Sequence, residues 1–272
     1  MRLVSSPMVG LQNATLLIVS IAGLLTFFLP FAISALPKES SQVSPRTIEA
    51  SLLLGLIIGA SLIIAVAELV RGPGSGNYAR SLALLGALAA IDATLRLVPS
   101  FLGASPIFAL VVLVGYVFGP RFGFVMGTLT LLLSAAITAG VGPWLPFQML
   151  CTGWVGLAAG WLPSWKTAQV EVAIAAALGA ATGFMYGALM NLYSWPFAAP
   201  GVTADVGLYW TPALSLIESI ERYSRFYLAT SLVHDATRAA ATGLLILAAG
   251  GPVIRLLRRF HTRTAWATSL PS

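Results

Sequence analysis

Asp92, Arg96, His234, Asp235 and Arg238 sit inside apolar runs, where their types and spacing limit the chemistry open to this chain. Asp92 and Arg96 stand four apart, on one face if the run around them is a helix. His234, Asp235 and Arg238 recur in the last long apolar run, at a comparable depth if that helix starts at Phe226 or Tyr227. An ionised group within a membrane is costly and calls for a partner or a wet cavity. Two acids and two arginines at matching depth can pair across helices, and three uses of that set stand open. The cluster can form the floor of an outward-facing cavity that grips a charged or amide-bearing ligand. It can equally be a salt-bridge network that fixes helix packing. A proton relay through Asp92, His234 and Asp235 is the third, disfavoured because arginine stays protonated and holds both carboxylates ionised. Cys151 is the single cysteine, which excludes a disulfide framework and multi-cysteine metal sites. His234 and His261 lie far apart, so no metal and no cofactor is expected.

The elements that must position these residues follow from composition. Of 272 residues, 15 are Lys or Arg and 9 are Asp or Glu, so 9% are charged while 58% are hydrophobic. That is too few polar groups to coat a soluble fold of this length, and lipid becomes the expected solvent for much of the surface. The net charge of +6 does not point to nucleic acid, because the cations are spread between apolar runs rather than clustered on a polar face.

A helix crossing a bilayer needs about 20 apolar residues. Eight apolar runs approach this, at 14–36, 51–70, 79–98, 105–118, 122–140, 147–163, 170–192 and 227–250. They are apolar all round, unlike the alternating strands of a membrane barrel. The fold class expected is therefore an all-α polytopic membrane protein. Ala-Ile-Ser-Ala at 32–35 resembles a signal cleavage site, but the run before it is longer than a usual signal core, so a retained helix is expected.

Cations near helix ends set orientation. With the N-terminus inside, the inner segments carry Arg2, Arg71, Arg80, Arg121, Lys166, Arg255, Arg258, Arg259 and Arg263, against Lys38, Arg46, Arg222 and Arg225 outside. This asymmetry places both termini in the cytoplasm of a bacterial inner membrane.

The organisation expected is a two-helix hairpin over 1–70, a Gly-rich linker at 71–78, a six-helix bundle over 79–260 and a tail at 261–272. No Lys-Ser or Lys-Thr follows the linker glycines, so it is not a phosphate loop and this chain is not expected to be an enzyme driven by ATP. On the outer side, Gly140-Val-Gly-Pro-Trp144-Leu-Pro-Phe-Gln148 presents a Trp and an amide beside a helix start. Residues 193–226 form a long aromatic segment with Trp195, Tyr209, Trp210, Tyr223 and Phe226, preceded by Tyr186, Met190 and Asn191. Aromatics at this level are expected of any membrane protein. As a one-sided set on a long connection, they also suit a lid over a planar ligand. Ala79, Ala83 and Ala87, spaced by four, let another helix approach closely.

Several of these segments carry a family resemblance. Phe118-Gly-Pro-Arg-Phe-Gly-Phe, Gly140-Val-Gly-Pro-Trp-Leu-Pro-Phe-Gln-Met and Gly153-Trp-Val-Gly-Leu-Ala-Ala-Gly resemble the substrate-binding S components of energy-coupling-factor (ECF) transporters. Tyr186-Gly-Ala-Leu-Met-Asn-Leu, Trp195-Pro-Phe and Phe226-Tyr-Leu-Ala-Thr-Ser-Leu extend the likeness over about residues 78–260, and residues 1–77 lie outside it. The resemblance implies a vitamin or precursor bound from outside by the connections 99–104, 141–146 and 193–226. It implies that Ala79, Ala83 and Ala87 dock the coupling transmembrane subunit, with two ATPase subunits driving uptake. The resulting site comprises Asp92, Arg96, Trp144, Gln148, Tyr186, Asn191, Trp195, His234, Asp235 and Arg238. Its aromatics, acids and arginines suit a bulky ligand with amides and a phosphate, and a cobalamin-type corrinoid is preferred over riboflavin, thiamine or folate. The alternative is a secondary transporter driven by protons. A membrane enzyme acting on lipid is a further rival, for which the sequence offers no histidine pair or Asp-rich motif.

Overall fold

The computed structural model describes residues 7–34, 51–60, 63, 75–98, 102–197, 207–211 and 214–266. Among these residues every regular element is helical: α1 (Pro7–Ser34), α2 (Ser51–Ala60), α3 (Ser75–Leu95), α4 (Ile107–Phe118), α5 (Pro120–Thr138), α6 (Leu145–Gly160), α7 (Ala168–Ser194), α8 (Leu216–Thr230) and α9 (Leu232–Trp266). A single 3-10 turn, Trp195–Phe197, follows α7. Among the described residues, four helices are long and apolar enough to cross a membrane by themselves, over Gly10–Leu29, Pro120–Thr138, Ala168–Ser194 and Leu232–Thr262. The chain is an all-α polytopic membrane protein.

Each of the eight apolar runs contains a helix, with shifted ends. α4 has 12 residues, about 18 Å at 1.5 Å per residue, against a bilayer core of roughly 30 Å. It can be short because nine of those residues are buried, so α4 is wrapped by protein rather than by lipid. α3 begins at Ser75, which makes the last four residues of the expected linker helical; residues 71–74 lie outside the described set. α9 corrects the sequence reading most. It starts at Leu232 rather than 227 and runs to Trp266, through Pro252 and into the expected tail.

Lipid offers no hydrophobic drive for helix association, so close packing of small residues must hold the bundle together. Two seams do this. In the first, α4, α5 and α6 meet backbone to backbone at Gly115, Gly123 and Gly156, where a Cβ on Gly123 would lie 2.7 Å from the Gly115 Cα. Gly127 packs on the Thr152 carbonyl one turn further along. In the second, α7 and α9 run antiparallel with Gly183 on Ala239, at 3.1 Å from a built Cβ to its Cα, and Gly179 on Thr242 and Ile246. The seam closes near Val172, which packs on Gly250 and Gly251.

The two ends of the bundle differ in chemistry. At the basic end, Glu171 is buried and accepts a bidentate pair from Arg258, Nη1 to Oε2 at 2.8 Å and Nη2 to Oε1 at 2.6 Å. The Tyr116 hydroxyl donates to the same carboxylate at 2.7 Å, which ties α4, α7 and α9 together. The opposite, aromatic end holds Trp144, Trp195, Trp210 and all of α8.

α1 presents Gln12, Leu16, Val19 and Phe27 to the core and turns Leu17, Ile18, Leu24, Leu25 and Phe28 outward. Spacings of three, four and eight put the first set on one stripe. α2 inserts Leu53, Ile57 and Ala60 into the same core by the same rule.

Candidate functional site

Polar side chains gather in the half of the bundle nearer the aromatic end. Asp92, in the last turn and a half of α3, is fully buried, and its Oδ2 accepts a hydrogen bond from the Thr130 hydroxyl of α5 at 3.0 Å. Its Oδ1 is buried with no hydrogen-bond partner, as is Ser134 Oγ one helical turn beyond Thr130. The α5–α6 register that sets Gly127 against Thr152 brings Gln148, one turn earlier on α6, to the level of Thr130 and Leu131. Gln148 Oε1 is also buried and unpartnered.

A second group comes from α7 and α9. Asp235 is buried and pairs through Oδ1 with Arg238 Nη1 on the same helix, three residues on. Its Oδ2 is buried with the Tyr227 phenol as its neighbouring donor. The Arg238 guanidinium also reaches the Gly183 carbonyl at 3.4 Å and lies over the rings of Tyr186, at 5.1 Å, and Phe108, at 5.8 Å. Phe108 and Tyr186 meet edge to face with centroids 4.9 Å apart. The Tyr186 ring is thus packed between Phe108 and the Arg238 guanidinium. Gly187 is what makes room: a Cβ there would collide with the Asp235 carboxylate, so the acid is seated in the space a side chain would fill.

Above this layer lies an aromatic cap. Trp195 is buried, its indole N–H donates to the Leu208 carbonyl at 2.9 Å, and its ring meets Tyr223 at 5.2 Å and Phe226 at 6.4 Å. Tyr209 packs on Phe226 at 6.1 Å. The Tyr223 hydroxyl donates to the Ala188 carbonyl at 2.5 Å, and Asn191 Nδ2 donates to Thr230 Oγ1 at 3.4 Å, fastening α8 to α7. Burial holds the Tyr223 phenol above its ordinary value. It pushes Tyr227 up to about 12, with the nearby Asp235 carboxylate adding to the effect. Both phenols are therefore protonated at neutral pH.

The expected residues do not all fall together. Asp92, Gln148, Tyr186, Asp235 and Arg238 occupy the polar layer, with Trp195 and Asn191 in the cap. Arg96 is half-buried and stands in the turn after α3, its N–H bonded to the Ala93 carbonyl, not on one helical face with Asp92. The expected cross-helix ion pairing is replaced by Asp235–Arg238 within α9 and by Thr130 on Asp92. His234 is exposed, although it neighbours Asp235 in sequence, because one residue turns a helix by about 100°. Trp144 is 43% exposed and folds back on Gly142. On α3, Ala83 and Ala87 lie exposed with Gly86 and Ala90, while the side chain of Ala79 is outside the described set.

Sequence reasoning missed α8, Thr130, Ser134 and Gly187. The signal for α8 was present: Ser215 and Glu218 form a capping box, Ser215 Oγ accepting from the Glu218 N–H at 3.3 Å and Glu218 Oε2 accepting from the Ser215 N–H at 2.8 Å. The aromatic count of 193–226 drew attention to a loop and hid this Ser-x-x-Glu start.

Buried acids, an arginine and an amide thus lie beneath an aromatic cap in a helical membrane bundle, and no group of His, Cys, Asp and Glu that could hold a metal ion occurs among the described residues. A sequence model of the ECF transporter substrate-specific component family matches residues 80–249, more than half of the chain, and the chain belongs to that family. It is thus the substrate-specific membrane subunit of an ECF importer, a transport subunit that works with ECF transmembrane and ATPase modules. The proton-driven reading gives way to this role. No curated protein and no solved structure matches the chain.

Proposed function

We propose that the chain captures a water-soluble vitamin or vitamin precursor at the aromatic end and delivers it to an ATP-driven coupling module. One observation carries the reading. Asp92 Oδ1 and Gln148 Oε1 are buried acceptors without protein donors, drawn from α3 and α6, and Asp235 Oδ2 on α9 is buried with the Tyr227 phenol as its neighbouring donor. A buried unsatisfied acceptor costs about 1–3 kcal/mol, so retaining these groups favours a ligand that supplies the donors. Amide-bearing solutes do so, while Arg96 and Arg238 suit a phosphate or carboxylate. This balance keeps the preference for a cobalamin-type corrinoid.

The aromatic end faces outward in this proposal, with both termini in the cytoplasm of a bacterial inner membrane. The cation asymmetry supports it, since Arg121, Lys166, Arg255, Arg258 and Arg259 all lie toward the basic end. The exposed Ala83–Ala87 face of α3, with Ala79 on the same helix, is the proposed docking surface for the coupling subunit, and two ATPase subunits complete the complex.

The test is binding by the purified full-length protein of cyanocobalamin, riboflavin, thiamine and folate, together with mass spectrometry of whatever solute co-purifies. Submicromolar binding of one of them, lost in Asp92→Asn and Asp235→Asn, is the expected result. The proposal fails if none binds at that level and no vitamin or precursor co-purifies.

A further inference from the structure

α1 lies outside the family-matched segment 80–249, yet it touches the core from one end of the bundle to the other. Near the basic end, Asn13 Oδ1 accepts from Arg121 Nε and Nη2 at 3.1 and 3.0 Å. Midway, Ser20 Oγ accepts from Trp154 Nε1 at 3.0 Å, and Gly23 backs on the Leu150 methyls. Phe27 then meets Phe147 edge to face at 5.0 Å. In the last turn Phe31 packs on Trp195 at 5.9 Å and on Trp210 at 5.2 Å, the latter at an interplanar angle of 87°.

Trp195 is therefore held from two directions, by Phe31 of α1 and by Tyr223 and Phe226 of α8. Its N–H to the Leu208 carbonyl joins it to the segment that carries Trp210, which Phe31 contacts as well. A helix braced on α5 and α6 along its length can serve as a fixed post for a segment that must open and close.

We propose that Phe31 is a positioning residue for the aromatic cap: it clamps Trp195 and Trp210, so the N-terminal helix sets how fast a bound solute escapes. The inference rests on the reading of the aromatic end as the binding site. Two ring pairs, one tilted and one edge to face, removed together, correspond to about a tenfold or greater increase in cap opening.

Hydrogen–deuterium exchange on the full-length protein in nanodiscs tests this without a ligand. Phe31→Ala should accelerate exchange over residues 214–230 by about tenfold and leave α6, residues 145–160, unchanged. Leu25→Ala, on the lipid face of α1 at 64% exposure, should change neither. Phe31→Leu, a milder change that keeps an apolar side chain, should give an intermediate value and serves if the alanine variant is not folded. Unchanged exchange over 214–230, or an equal rise throughout the chain, overturns the clamp. A parallel measurement of cyanocobalamin dissociation should show the same ratio. If cyanocobalamin does not bind, the ligand preference falls while the exchange result still decides the clamp.

Discussion

Replacing Gly187 by alanine adds one methyl group and tests the seat of Asp235. In the native backbone that Cβ would occupy the space of the Asp235 carboxyl group, touching both oxygens and Cγ. Asp235 sits on α9, itself pinned to α7 at Gly183 on Ala239 and Gly179 on Thr242, so neither backbone can retreat. The carboxylate must leave, and Arg238 loses its partner over the Tyr186 ring. Breaking a buried ion pair costs about 3–5 kcal/mol, and alanine returns roughly 1 kcal/mol of helix propensity over glycine, leaving about 2–4 kcal/mol. At about 1.4 kcal/mol per decade, a loss falling wholly on the site weakens binding roughly 30- to 700-fold. The assay pairs thermal unfolding in detergent with titration of the co-purifying solute. Gly86→Ala is the control, since a Cβ there meets nothing within 4 Å; it should leave both readouts unimpaired. If Gly187→Ala leaves both stability and affinity unchanged, the account of the Asp235 seat is wrong.

Two further predictions concern the surface. Ala83→Trp, on the exposed small-residue face of α3, should abolish co-purification with the coupling subunit while solute binding by the isolated chain stays unchanged. For α8, the Ser215 hydroxyl and then the Ser215 backbone N–H hold the Glu218 carboxyl below its ordinary value of 4.5. A depressed folded value means that the cap's contribution is full above the unfolded value and is lost as pH falls through the folded one. Exchange over the first turn of α8 should therefore rise below about pH 4.5, and Ser215→Ala should raise it at neutral pH and flatten the pH dependence.

Composition and apolar runs carried the fold class because lipid imposes them over whole segments: each of the eight runs contains a helix, while of the charges within them Asp235 and Arg238 pair and Arg96 and His234 stand apart. What composition could not carry is pairing across distance. Glu171 finds Arg258 87 residues away and Asp92 finds Thr130 38 residues away, through helix registers set by glycines whose role is invisible until the backbones meet. Helix ends were misread for local reasons. Arg96 and His234 each lie within two residues of a helix terminus, where a small shift in the boundary moves a side chain off the face assigned to it. α8 was missed because apolar Leu216, Ile217 and Ile220 alternate with Glu218, Glu221 and Arg222, so no run long enough to cross a membrane appears.

The glycine seams bear on how ligand choice can change. Where α4, α5 and α6 cross at Gly115, Gly123 and Gly156, the contact is between main chains and leaves no side chain free to vary. The groups proposed to face a solute, among them Asp92, Gln148 and Tyr186, lie off those crossings. A new specificity can therefore be written into the site residue by residue, on a frame that does not need to be repacked each time. Gly187 is the exception, a seam position that is also the floor of the site, and there the two demands cannot be separated.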